Sequence, residues 1–135
     1  MSWADVLVHL MLRLPAYHLD EETPEERRAR IEVIAQAITA ASARATCQGA
    51  APEEDCVRHW PGDGRDLSVL LVTQAYWESR LARNVHEGRC RSFECDPYQS
   101  PVTGRTEHRS RSLWQLQLNS LITEEWEQLV GTSLE

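Results

Sequence analysis

Between Ser2 and Leu14 the apolar residues Val6, Leu7, Leu10, Met11 and Leu14 recur at intervals of three and four, and Pro15 ends the run. That spacing predicts a first amphipathic helix. Thr23-Pro24-Glu25-Glu26 then supplies a capping threonine, a proline at the first helical position and a glutamate at the third. Ile31, Ile34, Ala35, Ile38 and Ala41 carry a second, longer helix on to about Thr46. From Cys47 to Arg65 periodicity vanishes among three glycines and two prolines, as expected of a connecting loop. Asp66 to about Ala82 is apolar around most of its circumference, through Leu67, Val69, Leu70, Leu71, Val72, Ala75, Tyr76, Trp77 and Leu81, which predicts a helix at the centre of the fold. The polar stretch Arg83 to Arg111 reads as a loop or flap over a site. Ser112–Leu118 and Thr123–Val130 read as two short helices, the latter with Trp126 and Leu129 as packing residues. No strand pattern, repeat or low-complexity segment is evident. The expected fold is a single all-α domain, with N-terminal helices and their loop over residues 1–65 and a core over 66–118.

At 135 residues the chain has room for one hydrophobic core. A net charge of −7 argues against nucleic acid as a partner, because a phosphate backbone selects basic faces. All 14 basic residues are arginine, which suggests coding bias rather than mechanism. The N-terminus Met1-Ser2-Trp3-Ala4-Asp5 has an acid where a secretory signal carries basic residues. No apolar run approaches the roughly 20 residues of a membrane span. The expectation is a soluble monomer without a visible signal peptide or transmembrane segment.

Four cysteines form two local pairs, Cys47 with Cys56 and Cys90 with Cys95. Each pair could close a short loop as a disulfide, remain as thiols, or join His59, His86 or His108 at zinc. Neither spacing is the tight Cys-x-x-Cys of structural zinc, so no metal is expected. Disulfides would point to work outside the cytosol.

One carboxylate stands out. At 100° per residue, Glu78 lies within roughly 20° of Leu67 and shares a face with Leu70, Leu71, Ala75, Leu81 and Ala82. A carboxylate in an apolar stripe is expected to be buried. Burial disfavours the charged form, which is how a glutamic acid keeps its proton and serves as a general acid. The bland alternative is a solvated acid at a helix end, or a partner of Arg80 or Arg83.

Ala75-Tyr76-Trp77-Glu78-Ser79-Arg80 resembles the helix end of soluble lytic transglycosylases and goose-type lysozymes, where a Glu-Ser pair closes an apolar helix. Ser112-Leu113-Trp114-Gln115 is similar to that family's Gly-Leu-Met-Gln segment, whose glutamine faces the same cleft. The resemblance covers roughly Asp66 to Leu118. It implies a lysozyme-like domain acting on peptidoglycan glycan strands at the cell wall or periplasm, without a cofactor. It assigns catalysis to Glu78 and substrate binding to Ser79, Trp114, Gln115, Gln117 and Tyr76. Glu78 would protonate the oxygen between N-acetylmuramic acid and N-acetylglucosamine, then take the proton of the muramyl 6-hydroxyl. A hydrolase would usually need a second carboxylate, for which Asp96, Glu94 and Glu87 are the candidates, Asp96 first.

Ser112 and Trp114 depart from the usual glycine and methionine, and the segment between the motifs is long and carries Cys90 and Cys95. The family's third, Ala-Tyr-Asn-like motif has no counterpart in the 18 residues after Gln117, so the chain reads as a truncated or minimal copy. Tyr76, Trp77 and Trp114 could stack on sugars, although aromatics on apolar helices usually belong to a core. His108, with Arg109 and Arg111, reads as a solvated run. Ser79 either orients Glu78 or ends the helix. Two rival accounts remain: a wall-binding module without a full cleft, and a small helical interaction protein.

Overall fold

The computed structural model of the protein describes residues 1–18, 20–88, 98–99, 106–107, 110–111 and 113–117. The protein is helical, in line with the all-α expectation. Helix α1 spans Trp3–Arg13, α2 Pro24–Ala45, α3 Gly64–Ser79 and the single turn α4 Arg83–His86.

The helix starts follow local chemistry. Ser2 and Asp5 form a reciprocal capping box on α1, and Thr23 with Glu26 does the same on α2. Each pair satisfies two backbone N–H groups that the first turn leaves unpaired. Asp63 caps α3 by accepting from the N–H of Arg65, so this helix begins two residues earlier than the hydrophobic pattern suggests.

The central element is α2, against which both α1 and α3 pack. Its buried row Ile31, Ile34, Ala35 and Ile38 meets Leu7, Val8 and Met11 of α1 and Val72 and Ala75 of α3 in one cluster. Small residues let α3 approach closely: the Ser68 hydroxyl donates to Ser42 Oγ at 2.8 Å, and a methyl group on Gly64 would stand 3.3 Å from Thr46 Oγ1. The expected centrality of the 66–82 helix is therefore corrected. Its buried face is Ser68, Val72, Ala75 and Ser79, whereas Val69, Leu70 and Trp77 are exposed. On α1 the inward face likewise turns toward Val8, leaving Val6 and Leu10 partly in solvent. An apolar side chain in the sequence does not say which neighbour will cover it.

Two short antiparallel pairs follow α4. Strand β1, Tyr98–Gln99, pairs with β2, Thr106–Glu107; β3, Ser110–Arg111, pairs with β4, Leu116–Gln117. The expected helix over Ser112–Leu118 is thus replaced by a turn at 113–115 closed by two-residue strands. Backbone pairing across a tight turn satisfies the same polar groups a helix would, and Leu113 gains burial at 1 % exposure. The expected Thr123–Val130 helix, with Trp126 and Leu129, lies outside the described residues.

Cys47 and Cys56 are joined by a disulfide, which decides among the alternatives for that pair. Cys90 and Cys95 lie outside the described residues. Above the disulfide, the N–H groups of His59 and Trp60 both donate to the Ala45 carbonyl, folding the loop back onto the end of α2. Closing a loop of sequence separation 9 restricts the unfolded chain. Cys47→Ser with Cys56→Ser is expected to lower stability by about 2–3 kcal/mol, measured as the loss in a urea unfolding curve. Among the described residues no helix is long and apolar enough to cross a membrane.

The turn between α1 and α2 is held by buried charge. The Arg30 guanidinium donates to both carboxylate oxygens of Glu22, at 3.0 and 2.8 Å, and lies 4.0 Å from Asp20 Oδ2. Asp20 also accepts from the backbone N–H of Arg83 at 2.9 Å, which ties the start of α4 to this turn. His86 lies buried beside the network with its Nδ1 unpaired. Burial, and then the positive charge of Arg30, lower its pKa to about 4, while Glu87 and Glu22 pull the other way.

The folded protein therefore resists taking up this proton until about pH 4, whereas the unfolded chain takes it up near the ordinary value of 6.5. Stability is expected to be unaffected by His86 above about pH 7 and to fall by roughly 3 kcal/mol between pH 6.5 and 4. Unfolding curves across that range check this. His86→Leu should flatten the acid limb, and an unchanged limb would remove His86 as its source.

Candidate functional site

The 113–115 turn rests on α3, the helix whose C-terminal end carries Glu78. Seven residues separate Leu71 from Glu78, so the two side chains point within roughly 20° of each other. The Trp114 indole N–H donates to the Leu71 carbonyl at 2.9 Å, and Leu113 enters the core cluster beside it. The 113–115 turn is thereby docked on α3 one to two turns below Glu78.

Glu78 itself is exposed, not buried. The expectation of a carboxylate sunk in an apolar stripe is corrected, because that flank of α3 opens to solvent at its C-terminal end. Ser79 is completely buried and its hydroxyl donates to the Ala75 carbonyl at 2.7 Å. This bond turns the hydroxyl back along the helix, which fits the helix-ending role rather than a hydrogen bond to the neighbouring carboxylate.

The chain leaves α3 by an unusual route. Arg80 and Leu81 have φ of 56° and 53°, two consecutive left-handed residues without a glycine. The Arg80 N–H donates to the Tyr76 carbonyl at 2.8 Å, and Leu81 is fully buried, so hydrogen bonding and packing hold the turn in place. Gln115 is also left-handed, at φ 53°, and is half-buried at the tip of the second motif.

The aromatic candidates divide. Tyr76 and Trp114 pack against the core, and the Trp114 N–H is already engaged, so both are positioned chiefly by packing. Tyr76 also places its hydroxyl 3.5 Å from the Pro15 carbonyl. Trp77, expected to be core, is 72 % exposed. The Arg80 guanidinium sits over the Tyr76 ring at 5.2 Å and over the Trp77 ring at 5.5 Å, within the range of cation–π attraction.

Among the alternative carboxylates, Glu87 is exposed and accepts from Arg83 Nε at 2.7 Å, an ordinary ion pair four residues apart. Asp96, Glu94 and His108 lie outside the described residues. Gln117 falls in β4 opposite Ser110. Nothing in the sequence marks the left-handed residues, because none is glycine or asparagine, the residues that usually adopt that conformation. Among the described residues there is no cluster of His, Cys, Asp and Glu arranged to hold a metal ion. No family model matches the chain, and no match is found among curated proteins or solved structures.

Proposed function

We propose that the protein is a lysozyme-like, peptidoglycan-cleaving enzyme, a lytic transglycosylase in which Glu78 is the acid and base. The observation that carries this reading is where backbone strain falls. Of the four non-glycine residues with positive φ among the described residues, Arg80 and Gln115 belong to the two family-like segments and Leu81 directly follows the first. Such conformations cost of order 1–3 kcal/mol each and persist where the surroundings enforce them, often at functional sites. The bond from Trp114 to Leu71, on the helix that carries Glu78, supports the same reading.

On this reading Glu78 donates its proton to the glycosidic oxygen between N-acetylmuramic acid and N-acetylglucosamine as the bond breaks. The resulting carboxylate takes the proton of the muramyl 6-hydroxyl, whose oxygen closes on the anomeric carbon to give a 1,6-anhydro sugar. No second carboxylate is required, since an internal hydroxyl replaces water. A polymer laid along α3 would itself remove water from the exposed Glu78 and strengthen its interactions there. The chemistry needs no cofactor and places the protein's work at the cell wall.

The exposure of Glu78 favours a second reading, a wall-binding or interaction module without catalysis. Incubating the protein with purified peptidoglycan and weighing the released fragments separates them. Anhydromuramyl products are expected. Hydrated reducing ends would mean a hydrolytic lysozyme and bring Asp96 forward, and no release would leave the binding module.

A further inference from the structure

We infer that the exposed indole of Trp77 is a stacking platform for an N-acetylhexosamine ring of a β-1,4-linked glycan, one sugar to the side of Glu78. This rests on the proposed glycan reading and gives Trp77, about 100° round α3 from Glu78, a role that the resemblance does not assign to it.

An indole that is 72 % exposed presents a flat apolar face to water that the C–H face of a sugar can cover. The ring is not loose. Arg80 lies over it at 5.5 Å, and the same guanidinium lies over Tyr76 at 5.2 Å, whose ring packs on the core. Arg80 is in turn fixed by its left-handed backbone and its N–H bond to Tyr76. A plane held in this way loses little freedom when a ligand stacks on it.

The surroundings fit a sugar better than an apolar protein face. Along the helix, Leu70 points within roughly 20° of Trp77, Thr73 within roughly 40° and Gln74 within roughly 60°. Leu70 is 38 % exposed, Thr73 and Gln74 are exposed, and Glu78 follows directly in the chain. A pyranose presents one face of C–H bonds to an aromatic plane and directs hydroxyl and acetamide groups sideways, where it meets polar partners. An acetamide methyl finds Leu70. The row therefore alternates apolar and hydrogen-bonding groups, as the edge and face of an N-acetylated sugar require.

Binding is separated from cleavage by working in the Glu78→Gln background. Calorimetric titration with tetra-N-acetylchitotetraose, and co-sedimentation with insoluble peptidoglycan, are compared for this protein and for the same protein carrying Trp77→Ala or Trp77→Phe. Far-UV circular dichroism checks folding, which an exposed side chain should not affect. The expected result is glycan binding that weakens about tenfold or more with alanine and is largely retained with phenylalanine, the loss of one stacking contact.

Equal binding by the alanine variant would overturn the platform while leaving the glycan reading intact. Absence of binding to either probe would overturn both. A Trp77-dependent self-association seen by sedimentation, without glycan binding, would replace the sugar by a second copy of the chain. Trp77-dependent binding by a protein whose native form cleaves nothing would uphold the platform and discard catalysis.

Discussion

Glu78→Gln is expected to abolish release of peptidoglycan fragments, lowering the rate by about a hundredfold to ten-thousandfold, the range that a positioned acid–base group contributes. The substitution keeps the size and shape of the side chain and removes its ability to exchange a proton and to carry a negative charge. Because Glu78 is exposed and supports no core contact, the thermal midpoint should stay within about a degree of the parent, a surface change being worth only a few tenths of a kcal/mol. The pairing of an intact fold with lost turnover is what distinguishes catalysis from damage. Fragment release at the native rate in the glutamine variant would remove Glu78 from the reaction.

The second large effect is on the fold. Glu22→Ala should destabilise the protein by about 3–5 kcal/mol, because it leaves the buried Arg30 guanidinium without its two-pronged partner and takes a near neighbour from Arg27. The side chains of Arg30 and Glu22 are only 6 % and 4 % exposed, so water cannot step in to replace the missing carboxylate. Replacing both members, Arg30→Met with Glu22→Leu, should recover most of that loss, since two apolar side chains of similar bulk need no partner. Urea midpoints of the single and double variants test this. A double variant as unstable as the single one would mean that the ion pair stabilises the fold beyond its own desolvation.

This network bears on the candidate site through the backbone. Asp20 accepts from the Arg83 N–H, and the Arg83 side chain donates to the Glu21 carbonyl at 2.7 Å and to Glu26 at 2.9 Å. Ala82 is fully buried, and between it and Glu78 lie only the completely buried Ser79 and the two left-handed residues. The position of the α3 end is therefore fixed from both sides, by the core at Leu81 and by the buried Asp20 carboxylate at the Arg83 N–H.

Much of this was legible along the chain. The spacing of Ile31, Ile34, Ala35 and Ile38, and the Thr23-Pro-Glu-Glu start, determined α2 because capping and amphipathic burial act within a few residues of one another. The proximity of Cys47 and Cys56 made their bridge a candidate on the same grounds. The motifs around Glu78 and Leu113–Gln115 were also visible as short strings. What the sequence could not determine is which side of an almost wholly apolar helix turns inward. Leu67, Leu70 and Val72 are alike in hydropathy, and only the approach of α2 at Ser42 and Ala35 selects Val72 and Ala75 for burial and leaves Leu70, Trp77 and Glu78 in solvent. The turn at 113–115 was hidden for a similar reason. Its local pattern suits a helix, but the burial of Leu113 and the bond from Trp114 to Leu71 are contacts between residues far apart in the chain, and these outweigh the local preference. The left-handed pair at Arg80 and Leu81 belongs to the tertiary structure as well, since an arginine and a leucine enter that conformation only when packing around them makes every alternative worse.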